Sequence, residues 1–70
     1  MAKRPLGENL KLLREDRGLT QEALAQQAGL HRVYLTQLET GVKTNPRLDT
    51  LERLATALRV TIGELLGERR

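Results

Sequence analysis

Several residue types that small proteins use for chemistry or for cross-linking are absent from this chain or nearly so. It has no cysteine, serine, phenylalanine or tryptophan, one tyrosine and one histidine. Without cysteine, neither a disulfide nor a thiolate metal site can form. With no serine or cysteine and one histidine, the usual pairs of nucleophile and general base cannot be assembled. The composition therefore argues against an enzyme, and no metal or cofactor is expected.

Long apolar runs are missing as well. No stretch approaches the roughly 18 apolar residues of a membrane-spanning helix, so no membrane partner is expected. The basic start of the chain is followed by Pro5, Gly7 and Glu8, where a secretory signal needs an apolar run. We therefore expect a soluble protein that stays in the compartment where it is made, and the lack of cysteine fits a reducing cytoplasm.

The chain is rich in leucine and carries a small excess of positive charge. Fifteen of its 70 residues are leucine, and they must build the core of what can only be one domain. The net charge is +3 and the isoelectric point about 10.0. Many soluble domains share such an excess, yet it also fits a polyanionic partner. From residue 24 to residue 47 there are three basic residues and one acidic residue, and more basic residues stand at both ends.

The apolar residues recur with a helical period, and five helices are predicted. Leu6, Leu10 and Leu13 define the first helix. Thr20 is a good N-cap for the second, and the third is expected over about residues 31–39. Glycine adopts without steric cost the left-handed conformation that closes a helix. Three glycines follow the expected ends of these helices: Gly18, Gly29 and Gly41.

The second half of the chain continues the helical pattern. The fourth helix follows Pro46 and carries the clearest apolar stripe: Leu48, Leu51, Leu54, Ala55 and Leu58. Thr61 and Glu64 have the spacing of a capping box that opens a short fifth helix. Three apolar pairs occupy the positions of a hydrophobic staple, which fixes the angle at which a chain enters a helix: Leu19/Leu24, Leu30/Leu35 and Val60/Leu65. No segment alternates with period two, so no β-sheet is expected.

The second and third helices are joined by residues 28–31, a tight connection containing glycine, as in a helix-turn-helix. The small Ala25 allows these helices to cross closely. Four side chains would then face outward from the third helix: Arg32, Val33, Thr36 and Gln37. Arginine pairs with guanine, glutamine pairs with adenine, and valine contacts the thymine methyl group. This face suits the major groove of duplex DNA, although any amphipathic helical hairpin also displays polar residues on its outer side.

At this point the sequence resembles a known family, the helix-turn-helix domains of the phage repressor/Cro family. Four stretches carry the resemblance: TQEALA through GL at 20–30, YLTQLETG at 34–41, NPRLDTLERLA at 45–55 and VTIGELL at 60–66. The resemblance covers about residues 6–66 and implies an all-α, compact five-helix, lambda-repressor-like fold. It also implies that residues 1–70 form a single DNA-binding domain with a basic N-terminal arm at 1–5. Domains of this family bind operator DNA, usually as dimers, with the third helix in the major groove.

The resemblance also assigns roles to individual residues. Those expected to face base edges are Arg32, Val33, Thr36 and Gln37. Those expected to lie on phosphates are Gln21, at the start of the second helix, and Lys43, Thr44 and Arg47 beyond the third. Two positions depart from the family pattern. Arg47 stands where a serine often starts the fourth helix, and His31 stands where a serine or threonine N-cap is usual. His31 either caps with a ring nitrogen, touches a phosphate or is simply tolerated.

Two further expectations concern structure and assembly. In the family, the positions of Arg14 and Glu39 resemble a buried ion pair joining the first and third helices; the alternative is two unrelated surface charges. The segment 60–66 has four large apolar residues in seven, more than a short terminal helix needs for docking. Ile62 and Leu66 are therefore expected to form a homodimer contact, unless all four are buried within one subunit.

The leading functional interpretation is a transcriptional regulator, acting as a repressor or other control protein at its own or a neighbouring promoter. Its partner would be double-stranded operator DNA. The alternative is a protein-interaction module, such as an antitoxin whose main partner is a toxin protein. A pure protein-binding surface is expected to show more exposed aromatic or large apolar groups, which favours DNA.

Overall fold

Five helices, connected by short turns, make up the residues that the computed structural model describes, 5–67, and none of these residues forms a strand. The helices are α1 (Leu6–Asp16), α2 (Gln21–Ala28), α3 (Arg32–Thr40), α4 (Leu48–Leu58) and α5 (Ile62–Leu65). The predicted all-α architecture and helix order are confirmed. The third helix begins and ends one residue later than the sequence indicated.

Local interactions explain most of these boundaries. The Thr20 hydroxyl accepts a hydrogen bond from the Ala23 N–H at 3.0 Å and so caps α2. The capping box of α5 is complete: the Glu64 N–H donates to the Thr61 hydroxyl, and the Thr61 N–H donates to the Glu64 carboxylate. Gly29, with φ at +70°, closes α2 in the left-handed conformation. Each contact involves residues close in sequence, which is why periodicity and capping rules predict it.

Three helices begin without a side-chain cap: α1, which follows Pro5, and also α3 and α4. Neither His31, before α3, nor Arg47, before α4, accepts a hydrogen bond from its helix through its side chain. The proposed capping role of His31 is therefore wrong, and its side chain is exposed. Apolar contacts position the start of α3 instead: Leu30, just before His31, and Leu35, four residues after it, both join the core.

The core is built almost entirely from leucine. The fully buried large side chains come from all five helices: Leu10, Leu24, Leu35, Leu38, Leu54, Leu58 and Leu65. Helix α1 packs against α3 and α5, α2 packs against α3 and α4, and α4 packs against α5. Leu48, the first residue of the apolar stripe of α4, is 61% exposed. Leu48 is the first residue of α4 and adjoins the largely exposed segment 41–47. Contact of the stripe with the core begins at Leu51, which is partly buried.

Two contacts of α1 with distant parts of the chain were not predicted. Gly7 lies so close to the end of α3 that a Cβ atom there would stand 2.7 Å from the Glu39 carbonyl oxygen and closer still to that of Leu38. Asn9, which is 7% exposed, donates through Nδ2 to the carbonyl oxygens of Glu64 and Leu65, both at 2.8 Å. These contacts fix α1 between α3 and the backbone carbonyls at the end of α5.

Candidate nucleic-acid interface

The turn between α2 and α3 has a defined hydrogen-bonding pattern. The Leu30 N–H donates to the Ala25 carbonyl at 2.8 Å and the Gly29 N–H donates to the Gln26 carbonyl at 3.2 Å. This is the Schellman arrangement, which requires a left-handed residue at the position of Gly29. Ala25 and Ala28 are buried against the neighbouring helices. The angle between α2 and α3 is thus set by backbone bonds and small side chains.

Helix α3 turns a polar face outward. Leu35 and Leu38 are buried, and the residues expected to face bases lie on the other side of the helix: Arg32, Val33, Thr36 and Gln37. Arg32 and Val33 are exposed, whereas Thr36 and Gln37 are half-buried. The structure therefore places these four side chains together on one face of a short helix, which is the arrangement that groove recognition needs.

Thr36 and Gln21 contact each other, a relation that the sequence did not suggest. The Thr36 hydroxyl donates to Gln21 Oε1 at 2.9 Å. Gln21 Nε2 in turn donates to Glu39 Oε1, also at 2.9 Å. Gln21 is the first residue of α2 and is half-buried. Thr36, expected to face a base edge, and Gln21, expected to hold a phosphate, are therefore hydrogen-bonded to each other.

The expected pair of Arg14 and Glu39 is present and buried. Arg14 Nε donates to Glu39 Oε2 at 2.7 Å and Nη2 donates to Oε1 at 3.1 Å, while Nη1 donates to the Leu19 carbonyl at 2.8 Å. The exposed fractions of the two side chains are 10% and 2%. Hydrogen bonding and charge attraction from Glu39 raise the pKa of Arg14 despite its burial, so the guanidinium remains charged at any ordinary pH.

This pairing affects the charge of the exposed surface. Glu39 is the one acidic residue between residues 24 and 47, and Arg14 neutralises it in the interior. The segment between α3 and α4, residues 41–47, is largely exposed and carries Lys43, Thr44 and Arg47, and His31 is also exposed. The Lys43 N–H donates to the Gln37 carbonyl at 3.0 Å and ties the segment to α3. Within residues 24–47, the exposed charged side chains are therefore all positive.

Other expected site residues lie elsewhere. Ile62 and Leu66 of the α5 region are both half-buried, and Ile62 packs partly against the core. Residues 1–4 of the expected basic arm, and the arginines at 69 and 70, lie outside the described residues. Within residues 5–67 there is no group of three or more side chains suited to holding a metal ion. Over the same range, no helix has the length and apolar character needed to cross a bilayer.

Two short helices at a glycine-closed turn, the second with an exposed polar face, define a helix-turn-helix domain. Residues 10–65 match the profile of a helix-turn-helix family, and the chain belongs to that family. This confirms the resemblance to phage repressor domains.

Relatives and solved structures agree with this assignment. The chain is 41% identical to the immunity repressor protein of Bacillus phage phi105, over 90% of this chain and 43% of that protein. It is 33% identical to the transcriptional regulator SinR of Bacillus subtilis, over 91% of this chain and 58% of SinR. It thus spans about half the length of these relatives.

Among solved structures, the restriction-modification controller protein C.AhdI from Aeromonas hydrophila has a TM-score of 0.83 and 41% identity, covering 87% of this chain and 91% of that one. The structure of SinR in complex with DNA has a TM-score of 0.85 and 33% identity, covering 87% and 97%. These values support the five-helix, lambda-repressor-like fold class over nearly the whole described chain.

Proposed function

We propose that this chain is a sequence-specific DNA-binding domain of a transcriptional regulator, with α3 in the major groove of operator DNA. The observation that carries the proposal is the exposed polar face of α3 beside the positive segment 41–47. The proposal is supported by the relatives, which include an immunity repressor and a regulator solved in complex with DNA. The protein would act in the cytoplasm, as a homodimer on a two-fold symmetric site.

The residues divide into two groups by what their side chains can do. Arg32 and Gln37 have the donors and acceptors to recognise guanine and adenine, and Val33 suits a thymine methyl group. The remaining residues would hold phosphates and so position the domain on the duplex: Gln21, His31, Lys43, Thr44 and Arg47. The N–H groups at the start of α2 add partial positive charge beside Gln21.

The test is binding to duplex DNA measured by fluorescence anisotropy. The DNA just upstream of the protein's own gene should bind more tightly than a scrambled duplex of the same length. The logarithm of the association constant should fall with the logarithm of salt concentration, with a slope of about −0.9 for each phosphate neutralised. Affinity that does not change with salt, or equal affinity for both duplexes, would contradict the proposal.

Variants separate the two groups of residues. Arg32→Ala and Gln37→Ala should weaken binding to the upstream duplex by about 1–3 kcal/mol and reduce the preference over the scrambled one. Lys43→Ala, which removes a proposed phosphate contact, should weaken both duplexes about equally. Arg17→Ala is the matched control for lost charge, because Arg17 donates to the Arg59 carbonyl at the far end of α4 from the segment 41–47. If Arg32→Ala, Gln37→Ala and Lys43→Ala behave alike, the division is wrong.

A further inference from the structure

Four side chains from three helices form a continuous hydrogen-bond network that ends on the outer face of α3. Arg14 of α1 donates to Glu39 of α3, Gln21 of α2 donates to the same carboxylate, and Thr36 of α3 donates to Gln21. The first three members hold the helices together. The last member lies among the side chains proposed to face bases.

The chemistry of the four side chains determines which group donates in every hydrogen bond of this network. The Glu39 carboxylate accepts but does not donate, and it is already held by the guanidinium of Arg14. The Gln21 atom facing it must therefore be the amide nitrogen, because a flipped amide would place two acceptors against each other. The amide oxygen of Gln21 then faces Thr36. A hydroxyl has one hydrogen, so Thr36 gives that hydrogen to Gln21.

The direction of these hydrogen bonds determines which donors and acceptors of Gln21 and Thr36 remain available to DNA. Gln21 keeps one free N–H, which suits a phosphate oxygen. Thr36 keeps lone pairs only, so its hydroxyl can accept a hydrogen bond but has no hydrogen to donate. In the major groove the amino groups of adenine and cytosine are donors, whereas guanine and thymine present acceptors.

We propose that this hydrogen-bond network makes Thr36 an acceptor-only residue that selects adenine or cytosine over guanine or thymine at the base it faces. The proposal rests on the proposed function, since it requires α3 to lie in the major groove. It assigns specificity to the orientation of a hydroxyl that is set, through Gln21 and Glu39, by the charge of Arg14. Thr36 thus differs from an isolated threonine, which could serve either kind of base.

The test is selection of binding sites from a randomised duplex library by the full chain, followed by sequencing, with four proteins compared. Wild type and Thr36→Ser should both prefer adenine or cytosine at one position of each half-site. Thr36→Val, which replaces the hydroxyl by a methyl group of similar shape, should lose that preference by about 2- to 10-fold, as expected for one neutral hydrogen bond. Preferences at the other positions should remain.

Gln21→Met tests the direction of the hydrogen bond itself. Methionine has a similar shape but offers no strong acceptor, so it frees the Thr36 hydrogen while Arg14 still holds Glu39. Overall affinity should fall, and the selected position should now also admit guanine or thymine. Circular dichroism should show that each variant is folded.

The outcomes separate two failures. The inference is overturned if Thr36→Val selects the same sites as wild type, or if Gln21→Met keeps the wild-type preference at the position that Thr36→Val relaxes. If folded wild-type protein enriches no sequence at all, the proposed function fails first and the inference falls with it.

Discussion

At the scale of single residues, the largest loss in the free energy of unfolding is expected from a substitution that removes the partner of a buried charge. Glu39 is 2% exposed at its side chain and holds Arg14 through two hydrogen bonds. Glu39→Ala would leave the guanidinium charged and unpaired, so we expect the free energy of unfolding to fall by about 3–5 kcal/mol. Urea denaturation measures the change. Glu22→Ala, an exposed change on α2, should cost at most about 0.5 kcal/mol, and equal losses for both variants would contradict the prediction.

Gly7 gives a prediction whose sign is informative. In an exposed helix, alanine is more favourable than glycine by about 1 kcal/mol. Here the added methyl group would collide with the carbonyl oxygens of Leu38 and Glu39, which are backbone atoms and cannot rotate away. We therefore expect Gly7→Ala to destabilise the domain by roughly 1–3 kcal/mol in thermal or urea unfolding. Glu8→Ala on the same helix is the control, and a stabilising Gly7→Ala would show that α1 and α3 separate easily.

At the scale of helices, the end of α4 is closed in an unusual way. Arg59 has φ at +60° and ψ at +43°, the left-handed conformation, where the ends of α2 and α3 have glycine. A residue with a Cβ atom destabilises the folded state by about 1–2 kcal/mol in this conformation. Glycine avoids this penalty, but part of the gain is lost because glycine makes the unfolded chain more flexible. Arg59→Gly should therefore raise the free energy of unfolding by about 0.5–1 kcal/mol. The hydrogen bond from Arg17 is kept because it goes to the backbone carbonyl.

The reverse substitution at a neighbouring helix end is the natural control. Gly18 has φ at +70° and nothing near its missing Cβ atom, so Gly18→Ala isolates the backbone cost from any steric clash. It should destabilise by about 1 kcal/mol. If both substitutions changed stability in the same direction, the conformation of the helix ends would not be the cause.

The helices could be predicted from the sequence because their determinants are local. Thr20, Gly29 and the Thr61–Glu64 box act within one turn of the chain, and the apolar period assigns the inward faces. Leu48 belongs to the apolar stripe and is nevertheless exposed, because periodicity shows which side of a helix is apolar but not how far the core extends along it. The contacts of Gly7 and Asn9 were missed for a similar reason, since each depends on where a distant helix passes.

The candidate site shows the same limit. The face of α3 followed from its spacing, and the pair of Arg14 and Glu39 followed from the family resemblance. The bond between Thr36 and Gln21 did not, because it depends on the crossing of α2 and α3 to within hydrogen-bond distance. A polar residue at the first position of α2, beside a buried carboxylate, was the available signal.

At the scale of the whole molecule, the dimensions bear on how two copies would sit on DNA. The domain measures 32 × 24 × 21 Å, and half-sites read on one face of the duplex are about 34 Å apart. The longest dimension of the domain is thus close to the half-site spacing, so two copies bound to adjacent half-sites would be near enough to touch. Contact between the subunits is then expected at a surface such as that of Ile62 and Leu66.

Dimerisation is tested by sedimentation equilibrium on wild type and Leu66→Glu. Wild type should dimerise at tens of micromolar, and a charge at the half-buried Leu66 should shift the protein toward monomer because burying an unpaired carboxylate is costly. Val42→Glu adds the same charge at a residue that is 69% exposed and should leave the association unchanged. A wild-type monomer, or a Leu66→Glu variant that still dimerises, would contradict the assignment of this surface.

The scarcity of aromatic residues has an optical consequence. Tyr34 is the chain's one tyrosine, there is no tryptophan, and the residue sits half-buried on α3 immediately after the exposed Val33. All intrinsic fluorescence of the protein therefore originates on the helix proposed to enter the groove. Without a tryptophan to receive its excitation energy, this emission reports on a single place in the molecule, and the seating of DNA against α3 can be followed without attaching a label.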